Sequence, residues 1–227
     1  MKTVVIFLLF LTTGCATTTY AYMPNQIPRI YFSYGILFDQ VCEGLSKQTI
    51  PSPAKMEGSK KINEFISVWE KNSPDFFKVL LLKVGRGFKR SEESVTLTSC
   101  NVPGVSDPII IPLKRWLVSL GGHEPMYGFS DVVFHELLHR YLASNFDANK
   151  SLLLKKYKKE SPQVLAHLHL MALQKMIYTE LNRQELIAWL DHDYNQLIGG
   201  DYKRAWEIVN VIEGQKVFVD ELPAMIK

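Results

Sequence analysis

The chain has 227 residues, of which 47% are hydrophobic and 22% are charged, and its formal net charge is +3. These values are ordinary for a folded domain and exclude a disordered or strongly basic protein. So small a charge gives no reason to expect nucleic acid as a partner. The length is sufficient for one domain with a substantial core.

Residues 1–21 are predicted to be an export signal. The segment "MKTVVIFLLFLTTGCATTTYA" begins with Lys2, continues with an apolar run from Val4 to Leu11, and ends in small residues. That run is about half of the ~20 residues that cross a bilayer, so a permanent membrane helix is not expected. We therefore expect residues 22–227 to form one mature domain.

Two cleavage sites compete in this segment. "LTTGC" resembles a bacterial lipobox and would make Cys15 the lipidated first residue, although Thr12 stands where such boxes usually carry Leu. "TYA", which ends at Ala21, would instead suit ordinary signal peptidase. The first alternative predicts a lipid-anchored protein on the periplasmic side of the cell envelope, with the membrane as a partner. The second predicts a secreted protein.

Cys42 and Cys100 remain after processing at either site. An even pair of cysteines in an oxidising compartment predicts a disulfide. The alternative is two buried free thiols that act as small hydrophobic residues.

The first half of the chain mixes strand and helix patterns. "PRIYFSYG" is typical of a strand and "ILFDQVCEGLS" of a helix, while Pro and Gly in "QTIPSPAKMEGSKK" indicate a loop. "KINEFISVWEKN" and "PDFFKVLLLKVG" predict two helices that are broken at Ser73-Pro74. "SVTLTSC" and "PIIIPLKRW" predict strands, the second at a sheet edge because its prolines cannot donate hydrogen bonds.

From Ser130 onward the pattern is almost wholly helical. The predicted helices are 130–145, 147–159, 162–182, 184–198 and 201–213. A small sheet in the first half, followed by a mainly helical second half, indicates an α+β fold.

The first of these helices carries the sequence His135-Glu136-Leu137-Leu138-His139. Ser130 is expected to cap it. His135 and His139 are four residues apart, so their rings lie on one face and can bind one Zn²⁺ at about 2.0–2.1 Å. Glu136 lies about 100° further round the helix, where it can miss the ion yet reach a water that the ion holds.

The five residues resemble the H-E-x-x-H motif of the zincin superfamily of metallopeptidases. The resemblance implies a zincin-like α+β fold with this motif on its central active-site helix, a zinc ion, and hydrolysis of peptide bonds. It further implies that His135 and His139 are metal ligands and that Glu136 is the general base. Beyond these residues, the order of strands and then helices is the main support.

The third metal ligand does not follow from the resemblance. The position six residues after His139 is Asn145, where one branch of the superfamily carries a third His. Another branch uses a downstream Glu, but Glu160, Glu180 and Glu185 do not lie in a matching motif.

The segment "SPQVLAHLHLMALQKMIYTEL" supplies better candidates. It is apolar on nearly every side of a helical wheel, which is typical of a buried helix, and buried histidines need partners. His169 lies deeper on the wheel than His167, so we favour His169 as the third ligand. His167 is the second choice and Glu180 the third. The competing interpretation of either His is a hydrogen-bonded core residue.

The sequence therefore predicts an exported zinc metallopeptidase, with a peptide or protein as its substrate. Tyr127, Tyr141 and Tyr178 could each donate a hydrogen bond to an oxyanion, although a packing role is the favoured interpretation of each. Two alternatives remain: a binding or structural lipoprotein on the same scaffold, and a zinc hydrolase of non-peptide amides.

Overall fold

The computed structural model describes residues 26–46, 49–198 and 200–227. The predicted export signal, with both candidate cleavage sites, lies outside the described residues. Among those that are described, no helix is both long enough and apolar enough to span a membrane.

The described residues form an α+β fold, which confirms the predicted class. The strands and α-helices are β1 (Arg29–Tyr34), α1 (Ile36–Ser46), α2 (Ser52–Lys60), α3 (Ile62–Val84), β2 (Glu92–Thr98), β3 (Val105–Ser106), β4 (Ile109–Pro112), α4 (Met126–Asn145), α5 (Leu152–Lys156), α6 (Pro162–Glu180), α7 (Gln184–His192), α8 (Gly200–Glu207) and α9 (Gln215–Glu221). Short 3₁₀ or π turns cover Val118–Leu120, Ala148–Lys150, Asp193–Ile198, Ile208–Ile212 and Leu222–Met225.

The four strands form one mixed sheet in the order β1-β2-β4-β3. β1 and β4 run parallel to β2, and β3 runs antiparallel to β4. The prediction that "PIIIPLKRW" forms an edge strand is therefore wrong, because β4 lies inside the sheet. Its prolines do not interrupt the ladder: Pro108 precedes the strand and Pro112 is its last residue.

Two predictions in the first half are corrected by helices α2 and α3. α2 occupies the segment that was predicted to be a loop, with Pro51 at its N-cap and Pro53 in its first turn, where a missing N–H costs no helical hydrogen bond. α3 continues through Pro74 without the predicted break. A proline inside a helix costs about 3 kcal/mol. Burial of Phe65 and Phe76, on either side of it, offsets that cost.

The second half is organised around α6, which matches the predicted helix 162–182. Its first turn is capped by Ser161, whose Oγ accepts from the N–H of Val164 at 3.1 Å. α6 contacts α3, α4, α7, α8 and α9, so nearly all of its surface is covered. This explains why its sequence is apolar on almost every side.

α4, the helix that carries the motif, lies between the β3–β4 side of the sheet and helices α3, α6 and α7. It begins at Met126 and not at Ser130, so the predicted cap is wrong. Ser130 is buried inside the helix, where its hydroxyl donates to the carbonyl of Val68 and accepts from Asn72, both at 3.2 Å. These bonds join α4 to α3.

Further along, the predicted helix 147–159 is divided into a 3₁₀ turn and the short α5, and 184–198 and 201–213 each end in a π turn. α9 was not predicted. Its Phe218 is fully buried in the common core, which extends over both halves of the chain.

A disulfide joins Cys42 on α1 to Cys100, the second residue after β2, with 6.4 Å between their Cα atoms. This confirms the predicted pairing. Because Cys100 lies near the start of the loop that leads from β2 to β3, the bond anchors that loop to α1.

Candidate metal centre

Three histidines from two helices converge beside the sheet. His135 and His139 lie one turn apart on α4, and His167 projects from α6. One ring nitrogen of each lies within 4.8 Å of the other two. The ring centroids are 4.7–5.2 Å apart. Three imidazoles at this spacing can share one ion.

The contacts of His167 leave a ring nitrogen available to a metal. Its Nδ1 donates to the carbonyl of Gln163 at 2.7 Å, so Nε2 carries the lone pair. Nε2 is buried and has no hydrogen-bond partner within the described part of the chain. Burying an unpaired polar atom is unfavourable, and coordination of a metal would remove that cost. The residues present therefore fit a metal ion.

His135 is held in a similar way through its other nitrogen. Its Nδ1 lies 3.1 Å from the side-chain carbonyl oxygen of Gln174 and 3.1 Å from the hydroxyl of Tyr194. Since the amide oxygen can only accept, Nδ1 carries the hydrogen. Nε2 is then free to bind an ion.

Burial keeps all three histidines neutral. It lowers the pKa of His135 well below the usual range, with a further contribution from the neighbouring His139 and His167. Burial lowers the pKa of His139 to about 3 and also lowers that of His167. Neutral imidazole is the form that binds metals, so these side chains need lose no proton at neutral pH.

Glu136 lies beside the histidines but points into a cavity. Only 6% of its surface is exposed, and burial raises its pKa to about 7. The backbone of Gly104 closes over it: a Cβ at position 104 would lie 2.5 Å from Oε1 of Glu136. A side chain at position 104 would therefore have to push the carboxylate of Glu136 aside.

The cavity has a volume of about 430 Å³ and is lined partly by His135 and Glu136. Its other walls are largely apolar or aromatic, formed by Val102, Pro103, Pro112, Trp116, Val132, Tyr194 and Tyr202. An ion pair between Arg115 and Asp193, with 2.6 Å between the charged atoms, also lines it. A second cavity of about 280 Å³ is lined by His139 and Arg140. Each cavity therefore reaches a different part of the motif.

His169, our preferred third ligand, lies elsewhere. Its Nε2 is 2.9 Å from a carboxylate oxygen of Glu221, and its ring packs edge-on against Phe218 of α9. The preference is corrected: the structure brings His167, the second choice, to His135 and His139. The reason is that α4 and α9 cover opposite sides of α6. Distance from the polar flank on the helical wheel indicates burial, but it does not indicate which buried side faces the motif.

The remaining Glu candidates are also directed away from the centre. Glu180 is 43% exposed and pairs with Lys83 at 2.8 Å. Glu160 pairs with Arg204, and Glu185 pairs with Arg183.

The three tyrosines proposed from the sequence do not line the larger cavity. Tyr141 donates to the carbonyl of Arg86, Tyr178 donates to Asp131, and Tyr127 packs against Trp189. The tyrosines that do line it are Tyr194 and Tyr202. Sequence analysis missed both, because they come from a π turn and from α8, whose positions depend on packing against α6.

The candidate centre thus consists of three neutral imidazoles and one adjacent carboxylate beside a cavity. Three protein ligands leave one position of a tetrahedral ion open. No protein-family model, curated protein or solved structure matches the chain, so its chemistry is inferred from these residues.

Proposed function

We propose that the protein is a zinc-dependent metallopeptidase with a zincin-like fold, and that it acts after export. The observation that carries this proposal is the convergence of His135, His139 and His167 with Glu136 beside them. The motif predicts the first two ligands and the base, and the bare Nε2 of His167 provides the third ligand.

Zinc is the metal that the resemblance to the H-E-x-x-H motif implies, and the three imidazoles are compatible with it. Imidazoles suit Zn²⁺ and other transition metals, whereas Ca²⁺ and Mg²⁺ prefer oxygen ligands. When bound, zinc supplies a Lewis acid that polarises a carbonyl group and lowers the pKa of a water to about 7.

Glu136 would act as the general base and then as the acid. Its carboxylate faces the cavity, where it can take the proton of the attacking water and return it to the departing amine. A base works best when its pKa is close to the working pH, and burial raises the pKa of Glu136 to about 7.

Tyr202 is the best-placed donor to the oxyanion. Its ring lies 4.4 Å from that of His167, and its hydroxyl accepts from Nε2 of Gln163 at 3.3 Å. The hydroxyl hydrogen therefore remains available to a substrate carbonyl. The hydroxyl of Tyr194 instead donates to Gln174 at 3.0 Å.

Two features favour a peptide over other amides. β3 is the outer strand of the sheet beside α4, and an exposed strand edge can pair with an extended peptide. The cavity next to Glu136 is large enough for a side chain and has mostly apolar walls.

A purely structural metal site is less well supported. Structural zinc sites normally have four protein ligands, and only three histidines converge here among the described residues. A structural site would also have no use for a buried carboxylate at Glu136.

Export remains part of the proposal. The disulfide between Cys42 and Cys100 is compatible with an oxidising compartment. A mature N-terminus at Cys15, modified by lipid, would support the envelope-anchored form. An N-terminus at Tyr22 would support release.

The direct test combines metal analysis with a cleavage assay. Purified protein should contain one zinc per chain, cleave members of a peptide library, lose that activity to a chelator and regain it with zinc. Failure to retain zinc would contradict the proposed centre. Bound zinc without cleavage of any peptide would favour the binding or amidohydrolase alternatives.

Gly104→Ala is expected to impair catalysis without affecting zinc. The added methyl group would displace the carboxylate of Glu136, and misplacing a reacting group by about 1 Å can cost roughly 100-fold in rate. Peptide turnover and zinc content should be compared with those of Gly44→Ala. That position has no atom within 4 Å of an added Cβ, so the control should match the wild type. Equal turnover in both variants would argue against Glu136 as the base.

A further inference from the structure

A buried chain of hydrogen bonds leads away from the metal centre. The carbonyl oxygen of Gln174 faces Nδ1 of His135 at 3.1 Å, and the amide nitrogen of Gln174 donates to Oδ1 of Asp131 at 2.8 Å. All three side chains are buried. Asp131 lies one turn before His135 on α4, whereas Gln174 belongs to α6. The hydrogen bonds therefore connect the two helices that carry the histidines.

Asp131 is itself fixed by two further donors. The hydroxyl of Tyr178 donates to Oδ1 at 2.7 Å, and the indole N–H of Trp189 donates to Oδ2 at 3.1 Å. Burial raises the pKa of this carboxyl to about 7. The N–H groups of Gln174 and Trp189 can only donate. Whether Asp131 is protonated or ionised, each of its two oxygens keeps a lone pair that can accept from one of these groups.

The orientation of the Gln174 amide follows from this arrangement. Its NH₂ group must face Asp131, so its oxygen must face His135. Tyr194 reinforces that polarity, because its hydroxyl donates to the same amide oxygen at 3.0 Å and offers His135 a lone pair. A flipped amide would present hydrogens to Nδ1 and force the imidazole hydrogen onto Nε2, which could then not bind a metal.

We propose that Asp131 and Gln174 are positioning residues of the metal centre, which together hold His135 in the tautomer whose Nε2 is free to coordinate. The inference rests on the proposed metal site and adds a function for two buried polar residues that are not ligands of the ion; Asp131 also lines the cavity beside Glu136. The motif alone does not reveal them, because Gln174 is 39 residues away from His135.

Reversing the pair provides a sharp test. In Asp131→Asn, one of the two oxygens is replaced by an NH₂ group, so the side chain cannot accept from both Gln174 and Trp189. Either the amide of Gln174 flips, or the N–H of Gln174 or Trp189 loses its acceptor. In Asp131→Asn with Gln174→Glu, the amide of position 131 donates to the carboxylate of position 174, whose second oxygen again accepts from His135. Tyr178 adjusts by rotating its hydroxyl.

Two measurements report the tautomer of His135 and the zinc affinity of each variant. Nitrogen NMR of metal-free protein reports which ring nitrogen of His135 carries hydrogen, and competition with a chromophoric chelator gives zinc affinity. We expect hydrogen on Nδ1 in the wild type. We expect Asp131→Asn to shift it towards Nε2 and to weaken zinc binding about 10- to 100-fold, and the double variant to recover most of that loss.

Matched controls separate positioning from general damage. Gln174→Leu should weaken zinc binding similarly, and Gln184→Glu, on the exposed start of α7, should not weaken it. The positioning role is overturned if Asp131→Asn leaves the tautomer and the zinc affinity unchanged, or if the double variant is worse than the single. A wild type that binds no zinc would instead overturn the proposed metal site. The two failures can be distinguished, because the NMR measurement on metal-free protein tests the positioning role without zinc.

Discussion

His167→Ala is expected to weaken zinc binding roughly 100- to 1000-fold, whereas His169→Ala should leave it unchanged. The magnitude follows from sharing a binding free energy of roughly 10–16 kcal/mol among four zinc ligands. The two residues are a natural matched pair, since they have the same chemistry and lie two positions apart on one buried helix. Only His167 directs a ring nitrogen towards His135 and His139.

His169→Ala should instead reduce stability. The variant loses the contact with Glu221, a carboxylate that also accepts from the hydroxyl of Ser151 at 2.6 Å and from the N–H of Leu153 at 3.0 Å at the start of α5. We expect a decrease of roughly 1–3 kcal/mol in the free energy of unfolding. Chelator competition and denaturant unfolding of both variants distinguish the two roles. Loss of zinc from His169→Ala, with retention in His167→Ala, would reverse the assignment.

The contrast between these histidines shows what the sequence can and cannot predict about the site. His135, Glu136 and His139 lie within one helical turn, so their relative positions follow from helix geometry alone. The choice between His167 and His169 depends on which helix packs on which side of α6. Positions two residues apart differ by about 200° on a helix, and no local pattern indicates that α4 covers one side and α9 the other.

The same distinction applies to the fold. Alternation in "SVTLTSC" and the apolar wheel of α6 are local signals, and both elements are where they were predicted. The central place of β4 depends on β3, a strand of two residues that has no periodicity to detect. The uninterrupted α3 depends on tertiary burial, which outweighs the local cost of Pro74.

Glu136→Gln is expected to retain zinc and to lose peptide hydrolysis about 10²- to 10⁴-fold, the usual contribution of a general base. The amide has nearly the shape of the carboxylate, so it should fit beneath Gly104 and leave the three histidines undisturbed. It cannot take a proton from water at neutral pH. Zinc content and single-turnover cleavage, measured on the same preparations, test both halves of the expectation.

The same variant has a second consequence in the metal-free protein. Burial raises the pKa of Glu136 from 4.5 to about 7, so the folded state binds its proton more tightly than the unfolded state does. The stability linked to that proton is fully present below pH 4.5 and is lost as the pH rises to about 7. Glu136→Gln should therefore be more stable than the wild type at pH 8, by on the order of 3 kcal/mol, with the difference shrinking towards pH 4. Denaturant unfolding of both proteins across this range measures it. Two outcomes would contradict the placement of Glu136 as a buried base beside the ion. One is that Glu136→Gln loses zinc together with activity. The other is that its stability advantage over the wild type is no larger at pH 8 than at pH 4.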